Sequence, residues 1–316
     1  MKKFLHGETR ENAIVESKTN VSARPKKIAY SSKKTADTLF IVSFLVYPML
    51  LFIVFYVYVN FSSILLAFKK YDFSGHYTWV AFENFKEFIA NITGASDKWA
   101  TGLINSLKMY ILCLVISMPL YILFSYILFK KCPLHKTLRT IVMIPQIVSG
   151  FIISMVFLKV IEGPVPDLIK AITGNEDFPN LLYDPRYAFV TTIFYMIWIS
   201  FSTSLIVYPN AMNEIDDSVL EAAQMDGVGN MFHELWYIIL PQIFPTISTF
   251  LITGFAGIFT NSGVLPTFYM YSAPDYVVNI GYLYWGEIAY ATQFSGFSML
   301  AAGGLLMTIV VAPLTI

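Results

Sequence analysis

EAAQMDGVGNMFHELWYIILP, residues Glu221–Pro241, is polar and acidic where the chain on either side is apolar. It is long enough for two short helices. Gly227 and Gly229-Asn230 supply a break at which a helix ends and the chain turns. Phe232, Leu235, Trp236 and Ile239 then recur at helical spacing and predict an apolar face on the second half. A helix–turn–helix held between two apolar spans is a device for touching another protein. The alternative is an amphipathic loop packed on its own chain.

The surroundings decide the class. The chain has 316 residues, of which 56% are hydrophobic and 13% charged, whereas soluble domains carry about 25% charged residues. With a mean hydropathy of +0.60 it reads as an all-α polytopic membrane protein. Six apolar runs near bilayer length are expected as spans: 38–68, 102–129, 138–160, 188–208, 241–262 and 297 onward. Pro48 marks a kink in the first, and Pro241 and Pro245 fall in the first turns of the fifth. Pro145 and Gly150 interrupt the third, and either a cavity-lining break or a simple kink follows from them.

Charge orients the spans. Residues 1–35 hold nine Lys and Arg and no signal-peptide pattern, which predicts a cytoplasmic N-terminal tail ahead of a transmembrane domain at 36–316. Lys130, Lys131, Lys136 and Arg139 crowd the second inner loop, and no Lys or Arg follows Arg186. The loop at 209–241 carries its acids without a base, so its inner placement rests on the parity of spans. Residues 71–101 and 161–186 are outer loops, the latter with a short surface helix at 166–170. The aromatic stretch 263–295 is outer as well. Asp275, Asn279, Glu287 and Gln293 argue against a span there, and an interfacial helix is expected over 276–290. Gly303-Gly304 predicts a close-packing point in the sixth span. The chain ends at Ile316 without the basic tail expected after such a helix, which reads as a C-terminal truncation.

Chemistry is sparse. Cys113 and Cys132 predict no disulfide, and the four histidines lie far apart in sequence, so no metal site and no cofactor are expected. There is no G-x-x-x-x-G-K-[ST] loop and no nucleophile or carboxylate constellation, so the chain is expected not to be an enzyme. A solute path is sought in spans four and five, at Tyr195, Trp198, Ser202, Asn261 and Ser262, because aromatic faces and hydroxyls suit sugars. Tight helix packing competes as the reading of Ser200-Phe201-Ser202-Thr203-Ser204.

Glu221-Ala222-Ala223, then Asp226-Gly227, then Ile238-Ile239-Leu240-Pro241 resembles the EAA loop of permease subunits of binding-protein-dependent ABC importers. Ten residues separate Gly227 from Ile238, one more than the family's usual spacing, and the extra one is expected in the Val228-Gly229-Asn230 turn. Trp79-Val80-Ala81-Phe82-Glu83-Asn84-Phe85 is similar to an element of the carbohydrate group, with Ala81 where Gly is usual, and Asn105-Ser106-Leu107 to the start of its core domain. The resemblance implies a type I ABC importer permease fold in a bacterial cell membrane. It implies docking of an ATPase subunit on Glu221, Ala222, Ala223, Asp226, Gly227, Phe232 and Trp236. The implied partners are a second homologous permease, two ATPase subunits, an extracytoplasmic solute-binding protein and a carbohydrate, with no nucleic acid. An oligosaccharide is the first expectation, and a monosaccharide or a glycerol-phosphate-like polyol the second. Two other classes compete. A secondary transporter would need ionisable groups at mid-membrane, and none lies well inside a predicted span. A membrane-embedded enzyme would need a base beside the acidic loop.

Overall fold

The computed structural model describes residues 28–71, 76–94, 97–174, 178–290 and 295–315. Most of the expected N-terminal tail, Gln293 and Ile316 lie outside the described residues. The chain divides at Ser62 into two units.

The first unit is dominated by helix α1. It runs as Ile28–Leu51, passes through π turns at Phe52–Tyr58 and continues as Val59–Leu66. Pro48 leaves the carbonyl one turn back without its donor, and the wider π turns begin one turn after the proline. Side chains 37–64 are all exposed, as befits a helix whose apolar surface is solvated by lipid.

The second unit opens with a two-stranded hairpin, β1 (Lys69–Tyr71) against β2 (Tyr77–Trp79). Helices α2 (Glu83–Thr93), α3 (Asp97–Phe129), α4 (His135–Ile147), α5 (Gly150–Glu162) and α6 (Pro164–Thr173) follow. Then come α7 (Ala188–Asn213), α8 (Asp217–Met225), α9 (Met231–Gln242), α10 (Phe244–Gly257), α11 (Leu265–Tyr269), α12 (Ile280–Tyr290) and α13 (Ser295–Thr315). Among the described residues four helices are long and apolar enough to cross a membrane: α1, α3, α7 and α13. The count is six if each of two bent pairs is one span.

Those two pairs fall at the expected third and fifth spans, the first bent where Pro145 and Gly150 predict a break or kink. Between α4 and the helices from Gly150 onward the axis turns by 102°. Pro145 lacks the donor that would hold the carbonyl of Ile141, and Val148 and Ser149 then adopt extended backbone. Between α9 and α10 the turn is 67°, at Ile243. Pro241 therefore sits at the end of α9, before the bend, and Pro245 occupies the first turn of α10.

Short polar motifs fasten the elements. Asn84 Nδ2 donates to the carbonyls of Ala67 at 2.8 Å and Lys69 at 2.9 Å, closing the end of α1. Ala81, two residues upstream of α2, has φ +49°, a backbone state that glycine adopts without strain. Asn105 Nδ2 donates to the Val278 carbonyl at 2.9 Å, and the Ile280 amide donates to Ser106 Oγ at 2.9 Å. The Asn105-Ser106 pair thus seats the start of α12 against α3.

The helix expected over 276–290 is present as α12, starting at Ile280, and Val277, Val278 and Ile280 are fully buried. Asn279, one of the residues read against a span, is buried. Its Oδ1 accepts from the Tyr282 amide at 2.7 Å, capping α12. The surface helix expected at 166–170 is present as α6. At Gly303 an added Cβ would collide with the Tyr284 hydroxyl and the Phe88 ring, whereas Gly304 meets nothing within 4 Å. Close packing is thus confined to the first glycine of the pair.

Candidate functional site

The helix–turn–helix forms at residues 216–242. Asp216 starts α8, its Oδ1 accepting from the Ser218 amide at 3.0 Å. That amide holds the Asp216 carboxyl below the usual carboxylate range. At the other end Val228 N–H donates to the Ala223 carbonyl at 3.0 Å and Gly227 N–H to the Gln224 carbonyl at 3.1 Å. This is a Schellman closure, and it places Gly227 at φ +90°. Asn230 Oδ1 then accepts from the Phe232 amide at 3.1 Å and caps α9. Within α9, Leu235–Ile239 winds as π turns, each holding one residue more than an α turn. Beside the Val228-Gly229-Asn230 turn, these π turns are a second place where an additional residue between Gly227 and Ile238 fits.

The apolar stripe of α9 divides. Leu235 and Ile239 are buried with Tyr121, Ile122, Tyr126, Tyr208 and Met212, the lower ends of α3 and α7. Phe232 and Trp236 are exposed, at 68% and 56%. Glu221, Ala222, Asp226 and Gly227 are exposed too, and Ala223 is buried. Of the seven residues expected to dock a partner, six therefore lie on open surface.

Above this element lies a cavity of about 430 Å³. α3 lines it with Ser106, Tyr110, Cys113, Ser117 and Tyr121, α7 with Ser200, Ser204 and Tyr208, and α10 with Thr253 and Gly257. Asn261 and Asn279 line it as well. Among the described residues no charged side chain lines it. A second cavity, of about 370 Å³, lies beside Ser154, Tyr195, Ser200 and Asn261.

The five residues expected on a solute path separate. Asn261 borders both cavities and Tyr195 the second. Tyr195 shares a 2.7 Å hydrogen bond with Ser154. Trp198, Ser202 and Ser262 line neither. Trp198 stacks on Phe157, and Ser202 Oγ donates to the Val142 carbonyl at 2.6 Å, joining α7 to α4. The α3 stripe of small and hydroxyl residues was missed by sequence reasoning. Ser106, Tyr110, Cys113, Ser117 and Tyr121 recur at steps of three and four, a pattern that marks one helical face.

Residues 122–316 match the family described as binding-protein-dependent transport system inner membrane component. The chain belongs to that family. Protein LplB of Bacillus subtilis (strain 168) is 30% identical over 227 residues, 69% of this chain and 69% of the relative. The polygalacturonan/rhamnogalacturonan transport system permease protein YteP of the same organism is 28% identical over 284 residues, 83% and 84% of the two chains. Among solved structures, a chain of a bacterial alginate ABC transporter, crystallised with an alginate pentasaccharide-bound periplasmic protein, superposes with a TM-score of 0.70 at 21% identity. The match covers 89% of this chain and 93% of that one and gives the fold, the type I ABC permease fold of a multi-pass membrane protein. This family member is a transport permease.

Proposed function

We propose that the chain is one of two transmembrane subunits of an ATP-driven bacterial importer, and that its cargo is a carbohydrate, an oligosaccharide first. One observation carries the reading. The capped helix–turn–helix presents Glu221, Phe232 and Trp236 outward while its inner face packs on α3 and α7, two of the helices that line the cavity. A subunit bound to the outer face acts on the cavity walls through one rigid element. On this reading two ATPase subunits dock from the cytoplasm, with Ala222, Ala223, Asp226 and Gly227 shaping the contact. A homologous permease completes the path and a solute-binding protein delivers cargo from outside. ATP-driven closure of the ATPase pair then opens the cavity outward. The N-terminus lies in the cytoplasm.

The lining supports the cargo class. Tyr110, Tyr121 and Tyr208 offer flat faces, and Ser200, Thr203 and Asn261 offer neutral donors and acceptors. The relatives' names point the same way, since several are permease proteins of saccharide transport systems. A non-sugar solute such as glycerol phosphate is the second reading of the family likeness.

The test is uptake in proteoliposomes that hold this chain, its partner permease, the ATPase subunits and the binding protein. A panel of tritiated neutral oligosaccharides serves as probe. Uptake that requires internal ATP is expected. Uptake driven by an ion gradient without ATP would make the chain a secondary transporter and end the reading.

A further inference from the structure

Six acidic residues lie between 209 and 240, and only Glu234 is buried, at 8% exposure. It stands on the inner face of α9. Its Oε1 lies 2.5 Å from Nζ of Lys130, the residue that follows α3. The ammonium also sits 5.7 Å from the Tyr126 ring and 5.9 Å from the Phe129 ring, within range for attraction to their faces. The other basic residues of that loop, Lys131, Lys136 and Arg139, are exposed.

Stability does not explain a charge pair here. Leu235, Ile239 and Ile243 already hold α9 and its hinge on the apolar ends of α3 and α7, and a buried ion pair often gains nothing over a well-packed apolar pair. It does fix register. Apolar side chains tolerate sliding past one another, whereas a half-enclosed ammonium has one carboxylate to meet.

We infer that the Lys130–Glu234 pair is a positioning tie that makes α9 move with α3, and so with the Ser106–Tyr121 face of the cavity. The inference rests on the coupling role proposed above for the helix–turn–helix. α9 turns by 67° into α10 at Ile243, with the Ile243 amide on the Ile239 carbonyl and the Ile247 amide on the Ile243 carbonyl, and the Lys130–Glu234 pair adds a directional link from α9 to a second cavity wall. The route through Lys130 joins the helix that contributes the most cavity-lining residues.

The assembled complex in proteoliposomes tests this, with the same tritiated oligosaccharides. Solute moved per ATP hydrolysed and basal hydrolysis are both measured. Glu234→Gln and Lys130→Met should assemble and retain basal hydrolysis, while solute moved per ATP falls roughly tenfold or more. The double variant should be no worse than either single, because both break the same tie. The exchange Lys130→Glu with Glu234→Lys should recover part of the loss. Singles with normal uptake per ATP, singles that fail to assemble, or losses that add in the double variant would each overturn the tie. A wild-type complex that moves no probe with ATP would overturn the importer reading instead, and the two failures are thus told apart.

Discussion

Gly227 and Ala81 are the two residues at which backbone conformation is tied most directly to chemistry. Gly227 has φ +90°, and a Cβ built on it meets nothing within 4 Å. The cost of a side chain there is conformational alone, about 1–2 kcal/mol and more for a β-branched residue. Gly227→Val should therefore leave insertion and expression intact, yet re-aim α9. ATPase attachment or substrate-stimulated hydrolysis should drop, and normal uptake would count against the coupling role. Ala81 shows the reverse case. It holds φ +49° on an exposed turn, so Ala81→Gly should stabilise the protein in detergent, relieving about 1–2 kcal/mol of strain less the roughly 0.5–1 kcal/mol of entropy glycine adds to the unfolded chain. An unchanged or lower melting temperature would show that the strain does not exceed that entropy. The Asp226-Gly227 pair was legible because few residues other than Gly close a helix this way. The cavity residues of α3 were not. Tyr110 and Tyr121 are spaced like any packed stripe, and only the neighbouring helices reveal that this face borders space and not a partner.

Helices were legible as apolar runs, and the break at Pro145 and Gly150 was legible with them, but the angles were not. Hydropathy sums over a window and cannot register a direction, so neither the 102° of the bend after Pro145 nor the 67° at Ile243 could be read from it. Polarity alone also hid the work of a single residue: Asn279 argued against a span at 276–290, and it spends its carboxamide oxygen capping α12 inside the protein. That junction gives a sharp test. A Cβ on Gly281 would lie 2.5 Å from the Asn261 carbonyl carbon and 2.6 Å from the Ser262 amide nitrogen, both backbone atoms that cannot rotate away. Gly281→Ala should lower stability in detergent by about 3 kcal/mol or more and disturb the cavity at Asn261. Gly304→Ala, on the open side of α13, should be near neutral. Equal melting temperatures for the two variants would mean that α12 is not seated as described. The element α9 carries its own check, since Asn230→Ala removes a cap worth about 1 kcal/mol. Faster amide exchange confined to residues 231–234 is expected.

At the scale of the whole molecule the question is how often the chain crosses the bilayer. Four helices reach span length on their own, and two bent pairs add up to two more. The positions of Pro133 and Gly229 decide whether the first bent pair crosses, and those of Gly229 and Ser272 whether the second does. Pro133 and Gly229 are both exposed, and only the α4–α5 pair and α7 separate them. If the first bent pair crosses, the two lie on one side. If it turns back at its 102° bend, they lie on opposite sides. The basic residues Lys130, Lys131, Lys136 and Arg139 flank Pro133 and favour the cytoplasm for it. Acidic residues around Gly229 set no preference, because Asp and Glu contribute little to orientation. Single cysteines at Pro133, Gly229, Thr93 and Ser272, in a background with Cys113→Ser and Cys132→Ser, can be labelled in intact cells with an impermeant maleimide. Thr93 and Ser272 should react, and Pro133 and Gly229 should react only after the membrane is opened. Labelling of Gly229 from outside with Pro133 protected would make the first bent pair re-entrant. Glu221, Phe232 and Trp236 would then face away from ATP, and no importer could use them for coupling.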